Sequence, residues 1–154
     1  MPSVECGFAD IPGGAQGAQL LTDQGPTLLV DIGFDPAWNA AAIPPRSPTP
    51  GIQGIQALVD TGATECCIDS LLAASLNLPI IDRRVVSGVH GPAEVSIHLA
   101  QVHVPSLGFT MHGVFAGVHL VAGGQVHQAL IGRTFLRYFN MAYDGRVGRV
   151  TIAT

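Results

Sequence analysis

Residues 57–63 read Ala-Leu-Val-Asp-Thr-Gly-Ala, an apolar run that ends abruptly at a carboxylate. The run begins at Ile55 and predicts a strand, and the Asp-Thr-Gly that follows predicts a tight, glycine-bearing loop. A carboxylate beside a buried strand is costly unless it is hydrogen-bonded, paired or partly protonated. Asp60 is therefore a candidate functional residue, with Thr61 able to hydrogen-bond beside it and Gly62 permitting a close approach. The alternative interpretation of Asp-Thr-Gly is an aspartate in an ordinary turn.

On the N-terminal side, residues 27–32 predict the first strand, and residues 35–54 form a proline-rich segment that predicts a long surface insertion. Residues 1–25 are rich in Gly, Ala and Gln without a helical or alternating period, which predicts a flexible, loosely packed arm. The sequence therefore predicts one globular domain over residues 26–154, preceded by an arm.

On the C-terminal side, short apolar runs alternate with turn signals. They predict a helix near 70–76, a hairpin over 85–104, strands at 109–115, 118–122 and 129–132, a helix at 133–139 and a closing hairpin at 141–152. Many short strands with two brief helices indicate an all-β fold, a small barrel or sandwich.

Composition excludes several classes of protein. The 154 residues, 47% of them apolar, suit one domain with a real core. Eleven acidic residues against seven arginines, with no lysine, give a net charge of −4, so no nucleic-acid partner is expected. Residues 95–132 carry no Asp, Glu, Lys or Arg, but glycines and histidines interrupt them, so no membrane partner is expected either.

The three cysteines, Cys6, Cys66 and Cys67, are an odd number, which disfavours a secreted disulfide scaffold. The first residues lack the basic start and apolar stretch of a signal peptide. A cytoplasmic location is the resulting expectation. The six histidines match no compact ligand spacing, so neither a metal nor another cofactor is expected; they are His90, His98, His103, His112, His119 and His127.

Three segments in order carry a family resemblance: residues 57–63, the glycine-tipped hairpin at 88–91, and Leu-Ile-Gly-Arg at 130–133 before a helix. Together they resemble the retropepsin family of aspartic proteases over about residues 26–154. The helix after Ala63 is more similar to cellular and bacterial single-domain members than to viral ones. The resemblance implies a closed β-barrel with a flap hairpin.

The resemblance also implies residue roles. Asp60 takes the place of the catalytic aspartate, and Arg133 that of a residue in a structural network near the subunit interface. The supporting loop is Thr61, Gly62 and Ala63; the flap and substrate-binding residues are Gly88, Val89, His90, Gly91, Leu130 and Ile131.

The chemistry of this class needs two carboxylates about 3 Å apart that share one proton. Asp-Thr-Gly occurs once in the chain, so the second Asp60 has to come from another copy, across a two-fold axis. The resemblance implies that terminal strands of both subunits interleave in one sheet. We therefore expect a homodimeric aspartic endopeptidase that cuts polypeptides; the alternative is a catalytically weak or inactive peptide-binding or dimerisation module.

Overall fold

The computed structural model describes residues 1–89 and 91–154, which form mostly strands with a few short helices. The strands are β1 Ser3–Glu5, β2 Thr27–Gly33, β3 Ile52–Val59, β4 Cys67–Asp69, β5 Ile80–Gly88, β6 Gly91–Val104, β7 Phe109–Val118, β8 Ala129–Ile131, β9 Asn140–Asp144 and β10 Arg149–Ala153. The helices are α1 Gly17–Gln24, α2 Ser70–Ser75, α3 Arg133–Leu136 and a 3-10 helix at Pro105–Leu107.

Six strands form a closed barrel in the order β2-β3-β8-β4-β7-β6, and pairing of β2 with β6 closes it. Side chains alternate along the strands: Leu28, Val30 and Ile32 of β2 are buried, whereas Leu29 between them is exposed. This period of two is what a strand with one face on the core requires. The all-β, closed-barrel prediction is confirmed.

The flap hairpin projects beyond the barrel. β5 pairs with β6 up to Gly88 opposite Gly91, while the pairing of β6 with β7 starts only at Ile97. Val89 at the tip is fully exposed, and His90 lies outside the described residues. β5 starts at residue 80 rather than at the expected 85. Most of its side chains are exposed on both faces, so no apolar alternation marks its first residues.

The expectation of a loosely packed arm at residues 1–25 is wrong. β1 pairs with β10, and the backbone N–H of Cys6 donates to the carbonyl of Val150 at 2.7 Å. Cys6 and Leu21 are buried in the core. The sequence does not indicate this packing because it depends on backbone pairing and on a few scattered apolar residues, including Val4 and Phe8, rather than on a periodic pattern.

Helix α1 is an element that the sequence pattern did not indicate. It starts at Gly17, whose N–H donates to the Asp10 carboxylate at 2.7 Å, and its preceding residue offers no side-chain cap. A cap from a residue seven positions earlier gives no local start signal.

Two other boundaries differ from the predictions. The proline-rich segment ends where β3 begins at Ile52, so residues 52–54 belong to a strand. The expected strand at 118–122 is absent from the described residues: β7 ends at Val118 and a turn follows. The N–H groups of Leu120 and Val121 donate to the buried carboxylate of Asp69, each at 3.1 Å, rather than to a neighbouring strand.

None of the helices in the described residues is long and apolar enough to cross a membrane.

We predict that Leu21→Ala lowers the free energy of unfolding by about 2–5 kcal/mol, because it leaves a cavity where α1 packs on the core. Leu21 is only 2% exposed. Urea unfolding measures the change, with Ile11→Ala as the control because Ile11 lies in the same segment but is exposed. An equal, small effect of both substitutions would show that residues 1–25 do not contribute to the core.

Candidate active site

The loop after β3 holds Asp60 in a fixed position. The Asp60 N–H donates to the carbonyl of Ile131 at 2.9 Å, and the Asp60 carboxylate accepts the N–H of Gly62 at 2.9 Å. The N–H of Ala63 closes the turn on the Asp60 carbonyl at 3.2 Å. The side chain of Asp60 is half-buried. Its carboxylate is therefore oriented by the backbone of its own loop and still accessible on one side.

A second loop braces the first, because β3 and β8 run parallel and pair Val59 with Ile131. The chain segments that leave these strands emerge at the same edge, which places residues 132–134 against residues 60–65. The N–H of Arg133 donates to Ala63 at 2.9 Å, and the N–H of Thr134 donates to the Thr64 carbonyl at 3.0 Å.

The Arg133 side chain adds a clamp across the Asp60 loop. Its guanidinium donates to the Thr61 carbonyl at 2.8 Å and to the Thr64 hydroxyl at 3.0 Å. These contacts fix the residues on both sides of Gly62. Arg133 therefore belongs to a network that positions the loop, and Thr64 is a member that the sequence pattern did not single out. No local sequence pattern marks Thr64, because its partner Arg133 lies 69 positions further along the chain and meets it only in the folded protein.

Gly132 makes the close approach of the two loops possible. A Cβ atom at this position would lie 2.5 Å from the Glu65 carbonyl oxygen and 2.9 Å from that of Ala63. The Gly132 N–H donates to the sulfur of Cys66 at 3.3 Å. No side chain fits there without moving the backbone of the Asp60 loop.

One of the two β8 residues expected to bind substrate, Ile131, does not face the site. Ile131 is 1% exposed and lies in the core, so its side chain is beneath the site and cannot line a substrate surface of this chain. Its carbonyl instead anchors Asp60. Leu130 is half-buried between Leu58 and Cys67 on the neighbouring strands, and its contact with substrate stays a prediction.

The flap borders a groove of about 900 Å³ on the side of α2 and β7. Gly88, Val89 and Gly91 line this flap groove, whereas Asp60 and Leu130 are not among its lining residues. Within one chain, the described residues thus bring Asp60, Thr61, Gly62 and Ala63 against Gly132 and Arg133, and leave a groove between the flap and α2.

The two cysteines beside the site hold neutral thiols. Burial, and to a lesser extent repulsion from the neighbouring acidic groups including Asp60, raises the pKa of Cys67 to about 11. Burial likewise raises the pKa of Cys66, against hydrogen bonds from Gly132 and Thr134 that lower it. Neither thiol therefore places a negative charge next to Asp60 at neutral pH.

The histidines of the described residues mostly have structural partners. His98 contacts the Leu78 carbonyl at 3.2 Å, His103 the Thr110 hydroxyl at 2.8 Å, His119 the Ser70 hydroxyl at 2.8 Å, and His127 the Thr27 hydroxyl at 2.8 Å. Among residues 1–89 and 91–154, no cluster of three His, Cys, Asp or Glu side chains is arranged to hold a metal ion.

A closed barrel, a projecting hairpin and an Asp-Thr-Gly loop braced by Gly-Arg define a retropepsin-like fold. A family profile described as aspartyl protease matches residues 51–135, which is more than half of the chain. The chain belongs to this aspartyl protease family. The matched residues include both the Asp60 loop and the Arg133 clamp.

Among solved structures, the chain is similar to the EIAV protease complexed with the inhibitor HBY-793, at 16% sequence identity and a TM-score of 0.45. The match covers 73% of this chain and 86% of that chain. The search of curated proteins finds no significant match. The closer similarity to cellular and bacterial members stays a prediction.

We predict that Gly132→Ala lowers the free energy of unfolding by about 1–3 kcal/mol, because the new Cβ would overlap the Glu65 carbonyl. Gly113→Ala is the matched control: a Cβ at Gly113 meets nothing within 4 Å, so its effect should stay within about 1 kcal/mol. Urea unfolding of both variants tests this. Similar stabilities would mean that the two loops are not held in contact.

We predict that alkylation of Cys67 at pH 8 is about 100-fold slower in the folded protein than in urea, because the thiolate is the reactive form. The rise of its pKa from 9.0 to about 11 lowers the thiolate fraction by that factor. Labelling should accelerate as the pH approaches 11. Mass spectrometry measures the rate, and Cys67→Ser identifies the peptide; equal rates in both states would contradict the burial.

Proposed function

We propose that the protein is an aspartic endopeptidase that works as a homodimer, with the Asp60 carboxylates of the two copies forming one catalytic pair. The observation that carries the proposal is the half-buried Asp60 carboxylate, held by Gly62 and clamped through Arg133, in a chain of the aspartyl protease family. The sequence contains one Asp-Thr-Gly, so one chain supplies half of the pair.

In the proposed reaction, the two carboxylates share one proton. The unprotonated Asp60 takes a proton from water, whose oxygen attacks the carbonyl carbon of the peptide bond, while the protonated Asp60 hydrogen-bonds to the carbonyl oxygen. The tetrahedral intermediate then collapses as the C–N bond breaks, and the leaving amine receives a proton from the pair. The products are a carboxyl group and an amine, and the pair again holds one proton.

The substrate class follows from the flap. An extended polypeptide can be covered by the β5–β6 hairpin, whose last paired residues are Gly88 and Gly91. Val89 at the tip supplies an exposed apolar side chain that can close over the substrate. We propose that Leu130 contributes an apolar surface below it. The Arg133 clamp supports this reaction by fixing the Asp60 loop without touching the peptide.

We predict that Asp60→Asn lowers the rate of casein cleavage by roughly 10²–10⁴-fold or more, because an amide can neither accept the proton of water nor share one. The fold should persist, since the amide oxygen can still accept the Gly62 N–H. Cleavage is measured at several acidic pH values, with and without pepstatin. Asp23→Asn is the control because Asp23 is exposed and its carboxylate accepts a hydrogen bond from the Gln19 side chain rather than from this loop.

Three outcomes are informative. Pepstatin-sensitive cleavage that Asp60→Asn abolishes supports the proposal. Unchanged cleavage in the Asp60→Asn protein would overturn the mechanism. If the wild-type protein binds peptides without cutting them at any acidic pH, the protein is the peptide-binding module that forms the alternative.

A further inference from the structure

The flap groove is wide because small residues form much of its walls. Its volume of about 900 Å³ is in the range of pockets that hold whole ligands. The α2 side is lined by Ser70, Ala73 and Ala74, which share one helix face at positions i, i+3 and i+4. The flap contributes the glycines on both sides of its tip and Ala93. Such walls leave room for a bulky side chain of another molecule.

The groove also contains a buried imidazole that is only half hydrogen-bonded. His98 of β6 lines the groove and is 5% exposed, and its Nδ1 lies 3.2 Å from the carbonyl oxygen of Leu78. A carbonyl oxygen only accepts hydrogen bonds, so Nδ1 carries the hydrogen and Nε2 of the neutral ring carries a lone pair. Within residues 1–89 and 91–154, Nε2 has no partner but is not sealed off, since the one enclosed side-chain nitrogen or oxygen without a partner is Nδ1 of His127. Nε2 of His98 is therefore an accessible acceptor.

Gly117 of β7 keeps the space beside this acceptor open. A Cβ atom at residue 117 would lie 2.9 Å from Nε2 of His98 and 3.1 Å from its Cδ2. Both residues line the flap groove, so the missing side chain at Gly117 leaves a way to Nε2 from the groove. A hydrogen-bond donor that enters the groove can reach the imidazole there.

The charged groups near the groove stay at its exposed rim. Glu94 is the charged residue among those of the described chain that line the groove, and its side chain is exposed. Arg83 donates to the Ser96 hydroxyl at 3.2 Å but does not line the groove. His119 is exposed, and its Nδ1 pairs with the Ser70 hydroxyl at 2.8 Å. The inner end of the groove therefore combines apolar walls with one imidazole acceptor.

We propose that the flap groove is an accessory subsite for a tyrosine side chain of the polypeptide substrate, whose phenol O–H donates to Nε2 of His98. The inference rests on the proposed function, because that function makes a polypeptide the ligand. The aromatic ring packs against the alanines and glycines of the walls, and the hydroxyl completes the hydrogen bonding of the imidazole. Asp60 and Leu130 do not line the groove, so the subsite is separate from the residues proposed to act at the scissile bond.

Other side chains match this groove less well. Phenylalanine fills the same space but displaces water from Nε2 without replacing its hydrogen bond. Lysine and arginine would bring a charge into apolar walls, where no buried carboxylate of the described residues lines the groove. Tryptophan carries its N–H at the side of the ring, whereas the tyrosine hydroxyl stands at the far end and reaches a deep acceptor. A preference for tyrosine over phenylalanine therefore identifies the subsite.

A matched pair of peptides tests the hydrogen bond. The fluorescein-labelled peptide Ser-Ala-Val-Tyr-Val-Ala-Ser and its Phe counterpart differ only in the phenol hydroxyl. The Asp60→Asn protein is used so that binding is measured without cleavage. We expect the Tyr peptide to bind about tenfold more tightly at pH 7.5, because the Phe peptide leaves a desolvated acceptor unpaired. Fluorescence anisotropy measures both dissociation constants, and equal values overturn the inference.

Removal of the acceptor should remove the difference between the two peptides. His98→Phe keeps a ring of similar size but has no lone pair, so the affinity ratio should fall to about one. His103→Phe is the matched control, since His103 is a β6 histidine that pairs with the Thr110 hydroxyl at 2.8 Å and does not line the groove. Circular dichroism checks that each variant folds. A merely structural role of His98 would weaken both peptides equally, and a ratio that stays near tenfold overturns the assignment.

Gly117→Ala provides a second test that keeps the imidazole and applies even if His98→Phe does not fold. Its new Cβ would occupy the space beside Nε2, so the preference for the Tyr peptide should again be lost. Gly113→Ala is the control, because it lies on the same strand and its Cβ meets nothing within 4 Å. An unchanged preference in the Gly117→Ala protein contradicts the proposed path to His98.

The subsite and the proposed function can fail separately. A preference for the Tyr peptide that His98→Phe removes, in a protein whose wild type cuts no peptide, sustains the subsite and removes the endopeptidase function. Cleavage that Asp60→Asn abolishes, without a preference between the two peptides, leaves the proposed function intact and removes the subsite.

Discussion

The parallel pairing of β3 with β8 is the constraint on which the site depends. It brings two chain segments that are about 70 residues apart to the same edge of the barrel, and Gly132 lets them touch because any Cβ there would meet the Glu65 carbonyl. The Arg133 guanidinium then ties the Thr61 carbonyl to the Thr64 hydroxyl. Asp60 is consequently positioned by backbone geometry and one cation, in a loop that has little freedom of its own.

Closure of the barrel stabilises the short strands next to the Asp60 loop. β8 and β4 have three residues each, too few to hold a sheet edge by themselves, yet each is paired on both sides within the barrel. The buried Asp69 caps α2 through the Leu72 N–H and also binds the turn after β7. A carboxylate buried with three backbone donors is satisfied, so it stabilises the fold where an unpaired one would destabilise it.

The sequence predicted what depends on short patterns and missed what depends on distant partners. The strand before Asp60, the tight loop and the glycine-tipped hairpin were found because apolar runs and turn residues report local structure. Helix α1 was missed because its cap is Asp10, outside the helix, and Thr64 because its partner Arg133 lies far along the chain. The family resemblance implied a substrate-binding role for Ile131, but its side chain lies in the core, and an apolar residue looks the same in sequence whether it faces the core or a ligand.

The proposed dimer links association of two copies to activity. In this scheme a monomer has a folded barrel and a fully braced Asp60 loop, but only one catalytic carboxylate. It is therefore inactive because the pair is incomplete, not because the chain is misfolded. Activity then follows the concentration of paired copies by mass action. Met141 and Tyr143 of β9 are exposed, although they lie opposite the buried Ile152 and Val150 of β10. Residues 137–139 connect α3 to β9, so the terminal sheet β1-β10-β9 follows within a few residues of Arg133, which holds the Asp60 loop.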